Sequence, residues 1–552
     1  MCKDDMRTLN WGFILLLLAA VAPAWAEASQ PTSFEQVISR VHQRESQFAQ
    51  GMRNYSPMVE TYIQNMKPDP ELGEAPAGDT YFLGRLDLSH GIAVASFVPE
   101  RNGWLRRLFG PLTAMQYNPA GFAVISPDET GLDSTHYAFT FVRREFLGDV
   151  RCLVFDLVPL KNAGQGRFLG RLWVEDQDYN VVRFNGTFVP RPRHGYYFHF
   201  DSWRLNMGPN LWLPAYTYSE EADTKYSGMP GSFKAQTRFW AYNVHNNGRQ
   251  DELTQVLVDP APTVKDQSDN SQDPSPVQAK RMWARQSEEN VLEKLERSGL
   301  LARQGDVDKV LDTVVSNLAI TNKIEIQPEI QCRVLLTAPM ESFSVGHTIV
   351  VSRGLLDVLP DEATLAAVLA HEMSHILLAH GESPMYGFND RMLFNERQTF
   401  TRLTLSHSPA EEQAADTRAL ELLKNSPYKE QLANAGLFLR ALQQRSPVLP
   451  NLIRAHLGNG LTLGSSTRMS QLIASAPALE MNKVDQIAAL PLGARIKVDP
   501  WSDSAQMSKA KPVALLSARE KMFFEVTPVY PYLTRVNDKP NAQKVATTSP
   551  AQ

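Results

Sequence analysis

The chain has 552 residues, too many for one ordinary domain, and its 43% hydrophobic content is enough for packed cores. A net charge of −5 leaves no general basic footprint for phosphate binding, so nucleic acid is set aside as a partner. Cysteines stand only at positions 2, 152 and 332, which excludes a disulfide framework and does not fit the spacing of a zinc-thiolate cluster.

In chain order, Trp11 to Ala22 ("WGFILLLLAAVA") is a short apolar core, and "AWA" at Ala24 to Ala26 fits a small-x-small cleavage site. Residues 1–26 therefore read as a signal peptide, which implies an exported, periplasmic protein. No later segment approaches 18 apolar residues, so the mature chain is expected to have no transmembrane helix. Residues 27–74 read as an N-terminal helical segment, with Phe34, Val37, Ile38, Val41 and Phe48 spaced along one face.

From about Tyr81 the period changes to two. Runs such as "HYAFTFVRREFL", "RCLVFDLVPL" and "SFKAQTRFWAYNV" are strand-length, rich in aromatic and β-branched residues, and separated by turn residues. They predict an antiparallel, curved β-sheet domain over 75–262. The phrases "GRLWVEDQDYNVVRFNGTF" and "SWRLNMGPNLWLPAYTY" resemble domains that sort outer-membrane lipoproteins, a resemblance of pattern that implies a sheet wrapped around acyl chains or apolar peptide. On that view Trp173, Tyr196, Phe198, Phe200 and Trp203 line an apolar groove; the alternative is that they fill a sheet core. Residues 263–282 read as a flexible linker, 283–535 as a mainly helical domain with a small sheet, and 536–552 as a disordered tail.

The stretch "LAAVLAHEMSHILLAH", residues 365–380, carries the chemistry. On a helix His371 and His375 share a face, so two imidazoles can hold one ion with Glu372 beside it. Asp361 is placed to cap the helix, with Glu362 in its first turn. His380, five residues after His375, is expected to turn away and to cap or pack. An H-E-x-x-H match alone arises by chance in roughly one or two per hundred such chains, so a third ligand decides. In "HSPAEEQAADTRALELL" the pattern of Ser408, Pro409 and Glu411 makes a helix start and assigns Glu411 to capping. Glu412 is then free to be the third ligand, Asp416 can orient a ligating histidine, and Ala414 and Ala415 would let the helix approach another closely.

Together "GHTIVVSRGLLDVLPDEATLAAVLAHEMSHILLAH" and "EEQAAD" resemble the gluzincin metallopeptidases of the CAAX prenyl protease and HtpX-like family, over roughly residues 290–475. The resemblance implies an α+β multidomain chain ending in a zincin-type metallopeptidase domain. It implies one zinc ion held by His371, His375 and Glu412, with Glu372 as general base and Asp416 in support. Relatives often carry a histidine-proline pair and an arginine six residues beyond the histidine. Here Arg468 matches the arginine, Thr462 stands where the histidine belongs, and His456 is the other candidate for stabilising an oxyanion. "FSVGHTIVVS", residues 343–352, is either an edge strand for an extended polypeptide or an internal one. Residues 381–407, with Gly381, Pro384 and Gly387, are expected to form a mobile lid.

The function so implied is a zinc endopeptidase of the bacterial cell envelope that cleaves extended or misfolded segments of envelope proteins or lipoproteins. The competing expectation is a carrier or chaperone for lipoproteins or apolar peptides, with the peptidase-like half as a non-catalytic scaffold.

Overall fold

The computed structural model describes residues 33–70, 72–88, 93–98, 117–128, 131–190, 197–222, 232–244, 276–381, 384–463, 466–480, 496–499, 504–507 and 524–536. The expected signal peptide, almost all of the expected disordered tail and residues 263–275 of the expected linker lie outside these residues.

Helix α1 spans Phe34–Met52 and starts at Ser33, whose side chain accepts from the Gln36 amide while Gln36 reaches back to the Ser33 amide. This reciprocal pairing satisfies two amides that a helix start leaves open. The expected helical segment ended at 74, but the helix ends at Met52 and Tyr55–Asp69 is a strand, so the sheet begins about twenty residues earlier than its predicted boundary. The reason lies in β1 itself. It buries both faces, including Glu60, Thr61 and Gln64, and carries Pro57 at a register shift, so it lacks the alternation that marks a half-buried strand.

The ten strands are β1 (Tyr55–Asp69), β2 (Gly73–Asp87), β3 (Ala93–Ser96), β4 (Tyr137–Leu147), β5 (Val150–Pro159), β6 (Arg167–Glu175), β7 (Val181–Val189), β8 (His199–Gly208), β9 (Leu211–Glu221) and β10 (Ser232–Val244). Their order is β3-β2-β1-β10-β9-β8-β7-β6-β5-β4: one meander from β4 to β10, closed onto the first strands by antiparallel pairing of β1 with β10. Both faces are covered. Val41 of α1 packs with Phe155, Phe168, Phe184 and Phe200 on one side, and Met58, Tyr62, Trp203 and Trp240 join a core shared with the C-terminal half on the other. The fully buried pair of Arg204 with Glu45 at 2.6 Å fixes α1 on the sheet, where the guanidinium also lies 3.6 Å from the Phe48 ring centroid.

These aromatic residues fill the core. Trp173, Phe200 and Trp203 are buried, and Phe198 stacks on Phe122 with ring centroids 4.6 Å apart; the predicted groove is therefore packed with the protein's own side chains, and Tyr196 lies outside the described residues. Arg183 sits 4.2 Å and 4.4 Å from the ring centroids of Trp173 and Trp203.

The C-terminal half opens with α2 (Pro276–Arg297), so helix replaces the end of the expected linker, and continues with α3 (Asp306–Thr321). Strands β11 (Gln331–Leu335), β12 (Ser342–Val345) and β13 (Thr348–Ser352) form a small sheet in the order β11-β13-β12, with β11 parallel and β12 antiparallel to β13. The single strand expected over 343–352 is thus a hairpin, turned at Gly346 with φ of 56°, and β12 is its edge. Helices α4 (Arg353–Val358), α5 (Glu362–Leu377), α6 (Pro409–Lys424) and α7 (Leu432–Arg445) follow. Among the described residues no helix is long and apolar enough to cross a membrane. Cys152 and Cys332 are both free and buried.

The two halves are not independent bodies on a tether. Trp240 donates to the Gly299 carbonyl at 2.7 Å, Glu60 accepts the Ala338 amide at 2.5 Å, Arg238 pairs with Asp357 at 2.7 Å, and Asp79 accepts the amides of Asn451 and Leu452. Residues 524–536 then return to the sheet: the Asp149 amide donates to Leu533, Arg535 pairs with Glu175, and the Val536 amide bonds Asn206. Residues 524–535, expected in the peptidase domain, thus pack on the large sheet, as does Val536, the first residue of the expected tail.

Gly354, in the first turn of α4, tolerates no side chain. A Cβ there would lie 1.6 Å from the Ala338 carbonyl oxygen, backbone that cannot step aside. Gly354→Ala is expected to destabilise the protein by about 3 kcal/mol or more through overpacking, read as a lower thermal midpoint.

Candidate metal centre

Helix α5 begins where the sequence places it: Asp361 accepts the Thr364 amide at 2.8 Å. Every residue from Ala363 to His375 is buried, so both histidines lie deep in the core. Helix α6 begins at Ser408, with Pro409 in its first turn and Glu411 closing the capping box, which leaves Glu412 to face α5. The close approach is made by the buried Ala415 and Ala419; Ala414, one of the two small residues expected at the contact, is exposed.

Three candidate ligand groups converge. His371 Nε2 and His375 Nε2 are 3.1 Å apart, Glu412 Oε2 lies 3.4 Å from the first, and Glu412 Oε1 lies 3.4 Å from the second. Bonds of roughly 2.0–2.1 Å to a tetrahedral ion separate its ligand atoms by about 3.4 Å, so the spacing fits one shared divalent cation. Two imidazoles and one carboxylate suit zinc and leave a position open, as in catalytic sites. His371, His375 and Glu412 form the one His, Cys, Asp and Glu cluster of this kind among the described residues.

The surrounding shell orients the ligands. Asp416 Oδ1 is 2.9 Å from His371 Nδ1, which places the proton on Nδ1 and frees the Nε2 lone pair; Asp416 Oδ2 accepts the Met469 amide at 2.8 Å. His380 does not turn away. The chain reverses at Ala379, with φ of 53°, and brings His380 Nδ1 to 3.0 Å from His375 Nδ1. His407 stacks on His375 with ring centroids 4.0 Å apart, and burial followed by the neighbouring His375 pushes its imidazolium down to about 4, so it is neutral near pH 7.

Charge in the site is balanced by Arg468. Its Nη1 donates to Glu372 Oε1 at 2.9 Å, its Nε to Glu412 Oε2 at 3.1 Å and its Nη2 to the Asn459 carbonyl at 2.9 Å. Burial alone raises the Glu372 carboxyl, but Arg468, the two imidazoles and Ser342 outweigh it and hold the group below the ordinary carboxylate range. Glu412 is likewise raised by burial and, more strongly, lowered by His371, His375 and Arg468, so it is ionised across the working range. Of the two candidates for an oxyanion, Arg468 is therefore in the site and His456 is not. The His456 ring packs against Tyr81 and Phe400, and its amide donates to Glu341. Thr462 pairs with Thr467 in a short hairpin that presents Arg468.

Residues 384–402 form short helical turns anchored on α2 and the sheet. Asn290 donates to the Tyr386 carbonyl, Arg85 pairs with Glu396, and a Cβ on Gly387 would meet the Trp283 ring at 3.0 Å. In this structure most of the segment expected as a lid is docked on α2 and the large sheet. The sequence reading missed Ser342, which bonds Glu372, and His407; neither belongs to a local motif, and only the folding of distant segments brings them in.

The fold and the site together support a metallopeptidase. Residues 302–456 match the model of peptidase family M48, a stretch that includes His371, Glu372, His375, Glu412 and Asp416. No curated protein matches the chain. Solved structures similar to it include a DUF1329 family protein from Desulfovibrio piger, 12% identical, covering 40% of this chain and 95% of that one with a TM-score of 0.20. Another is a putative outer membrane lipoprotein-sorting protein domain from Vibrio parahaemolyticus, 9% identical, covering 38% and 94% with a TM-score of 0.19.

Two outcomes are expected. Asp416→Ala should weaken zinc affinity by about 10- to 100-fold, measured by chelator competition, because His371 loses its tautomer-fixing partner. His456, lowered to about 4 by burial from an ordinary 6.5, stays neutral when folded. The unfolded chain takes up that proton first, so stability falls as pH drops from about 6.5 to about 4. His456→Phe should shrink the stability lost between about pH 7 and about pH 5 by about 2 kcal/mol, read from urea midpoints.

Proposed function

We propose that this chain is a zinc-dependent endopeptidase of the bacterial cell envelope, exported to the periplasm, that cleaves extended or misfolded segments of envelope proteins, lipoproteins among them. The observation that carries the reading is the meeting of His371 Nε2, His375 Nε2 and the Glu412 carboxylate at ligand spacing, with the Glu372 carboxylate one residue along the same helix. His371, His375 and Glu412 would hold the ion. Zinc held there would supply an acidified water and polarise a substrate carbonyl.

The chain's own residues supply the rest. Glu372, kept ionised by Arg468, takes the proton of the attacking water and hands it to the leaving amine. Asp416 holds His371 in the tautomer that presents Nε2, and His375, bonded through Nδ1 to His380, does the same from the other side. Strand β12 is the edge of the small sheet beside α5, and an extended polypeptide adding to that edge would lie across the site. Glu341, just before β12, is bridged to Gly460, so the start of that edge is covered and the substrate strand would pair further along. The packed aromatic core of the large sheet favours a supporting role for it over that of a carrier.

Glu372→Gln should retain zinc at the wild-type ratio and lower cleavage of an unfolded protein by about 10²- to 10⁴-fold. Equal cleavage by both proteins, or none by zinc-loaded wild type, would remove the peptidase reading.

A further inference from the structure

One buried hydroxyl beside the site has no part in binding the ion. Ser342 opens β12, is fully buried, and donates through Oγ to Glu372 Oε1 at 2.6 Å. Arg468 Nη1 donates to the same oxygen at 2.9 Å and to Ser342 Oγ at 3.3 Å. Both described hydrogen bonds to this carboxylate end on Oε1, which leaves Oε2 with its lone pairs uncommitted. Rotation about the last bond of a glutamate is soft and nearly two-fold, so an unheld carboxylate exchanges its two oxygens readily. A donor on the short side chain of a paired strand resists that rotation better than one at the end of a long arginine.

We infer that Ser342 is a positioning residue: with Arg468 it pins Oε1 of Glu372, so that Oε2 is the oxygen that takes a proton from the attacking water and returns it to the leaving amine. The inference rests on Glu372 acting as the base in the proposed function. Ser342 contacts none of His371, His375 and Glu412 among the described bonds, so its effect on proton transfer is separable from ion binding. It also lies on the edge strand proposed to receive substrate, which ties the aim of the base to the element that would align the peptide.

The test uses the full-length mature protein loaded with zinc. Ser342→Ala should lower kcat for an unfolded protein substrate by about 10- to 100-fold, with KM changed by less than about threefold. It should also weaken a peptide hydroxamate, whose hydroxyl gives its proton to the base, by about tenfold in Kd, while zinc affinity and thermal midpoint stay at wild-type values. Ser342→Thr keeps the hydroxyl and should restore both kcat and hydroxamate Kd to within about threefold. Should the alanine variant unfold, Ser342→Cys replaces it, since it holds the volume and exchanges a strong donor for a weak one. Wild-type kcat and hydroxamate Kd in Ser342→Ala overturn the inference, as does a loss confined to zinc affinity, and both leave the peptidase reading standing. An active Glu372→Gln removes the peptidase reading itself and the inference with it.

Discussion

The packing of α5 against α6 is the constraint on which the site depends. Neither helix holds a complete ligand set. His371 and His375 come from one and Glu412 from the other, and their nitrogens and carboxylate meet where the two helices pack together, with the small Ala415 and Ala419 of α6 buried. Two imidazoles and a carboxylate in a buried setting would repel or collapse onto one another without a cation or compensating bonds. Asp416, Arg468 and His380 supply those bonds, so the arrangement is held ready before any ion arrives.

Arg468 has a further consequence. It pairs with two buried carboxylates at once, since Glu372 and Glu412 share its guanidinium, and its planar fork fits both where a lysine would reach one. With both charges so engaged, its role as a free donor to a developing oxyanion is reduced. The site's polarity is set by one buried cation among Glu372, Glu412 and Asp416.

The large sheet acts on this centre from outside. Its inner face, with Trp240, Glu60, Arg238 and Asp79, bonds the backbone or side chains of Gly299, Ala338, Asp357 and Asn451. Ala338 also abuts Gly354, and the hairpin that follows it carries Ser342 to Glu372. The sheet thus buttresses the elements that hold the Glu372 carboxylate. Most of its strands are buried on both faces, so aromatic residues such as Trp203 and Trp240 work as core, while Phe141 and Phe146 on β4 are exposed.

By itself the sequence determined what is local: the caps at Asp361 and Ser408, the shared helical face of His371 and His375, the placement of Glu412 and Asp416 on one helix, and most strands from β4 onward. Each follows from spacing along one element, where geometry is periodic and independent of the rest of the chain. Strand β1 escaped because both its faces are buried and polar residues sit among them, so its pattern has no period to read. Only the tertiary structure decided that His380 folds back onto His375, that Ser342 and Arg468 grip one oxygen of Glu372, and that residues 524–536 return to the sheet. Apart from the His375–His380 contact, made by the reversal at Ala379, those contacts join residues separated by tens to hundreds of positions. Their distances are set by packing against third parties, which no local pattern encodes.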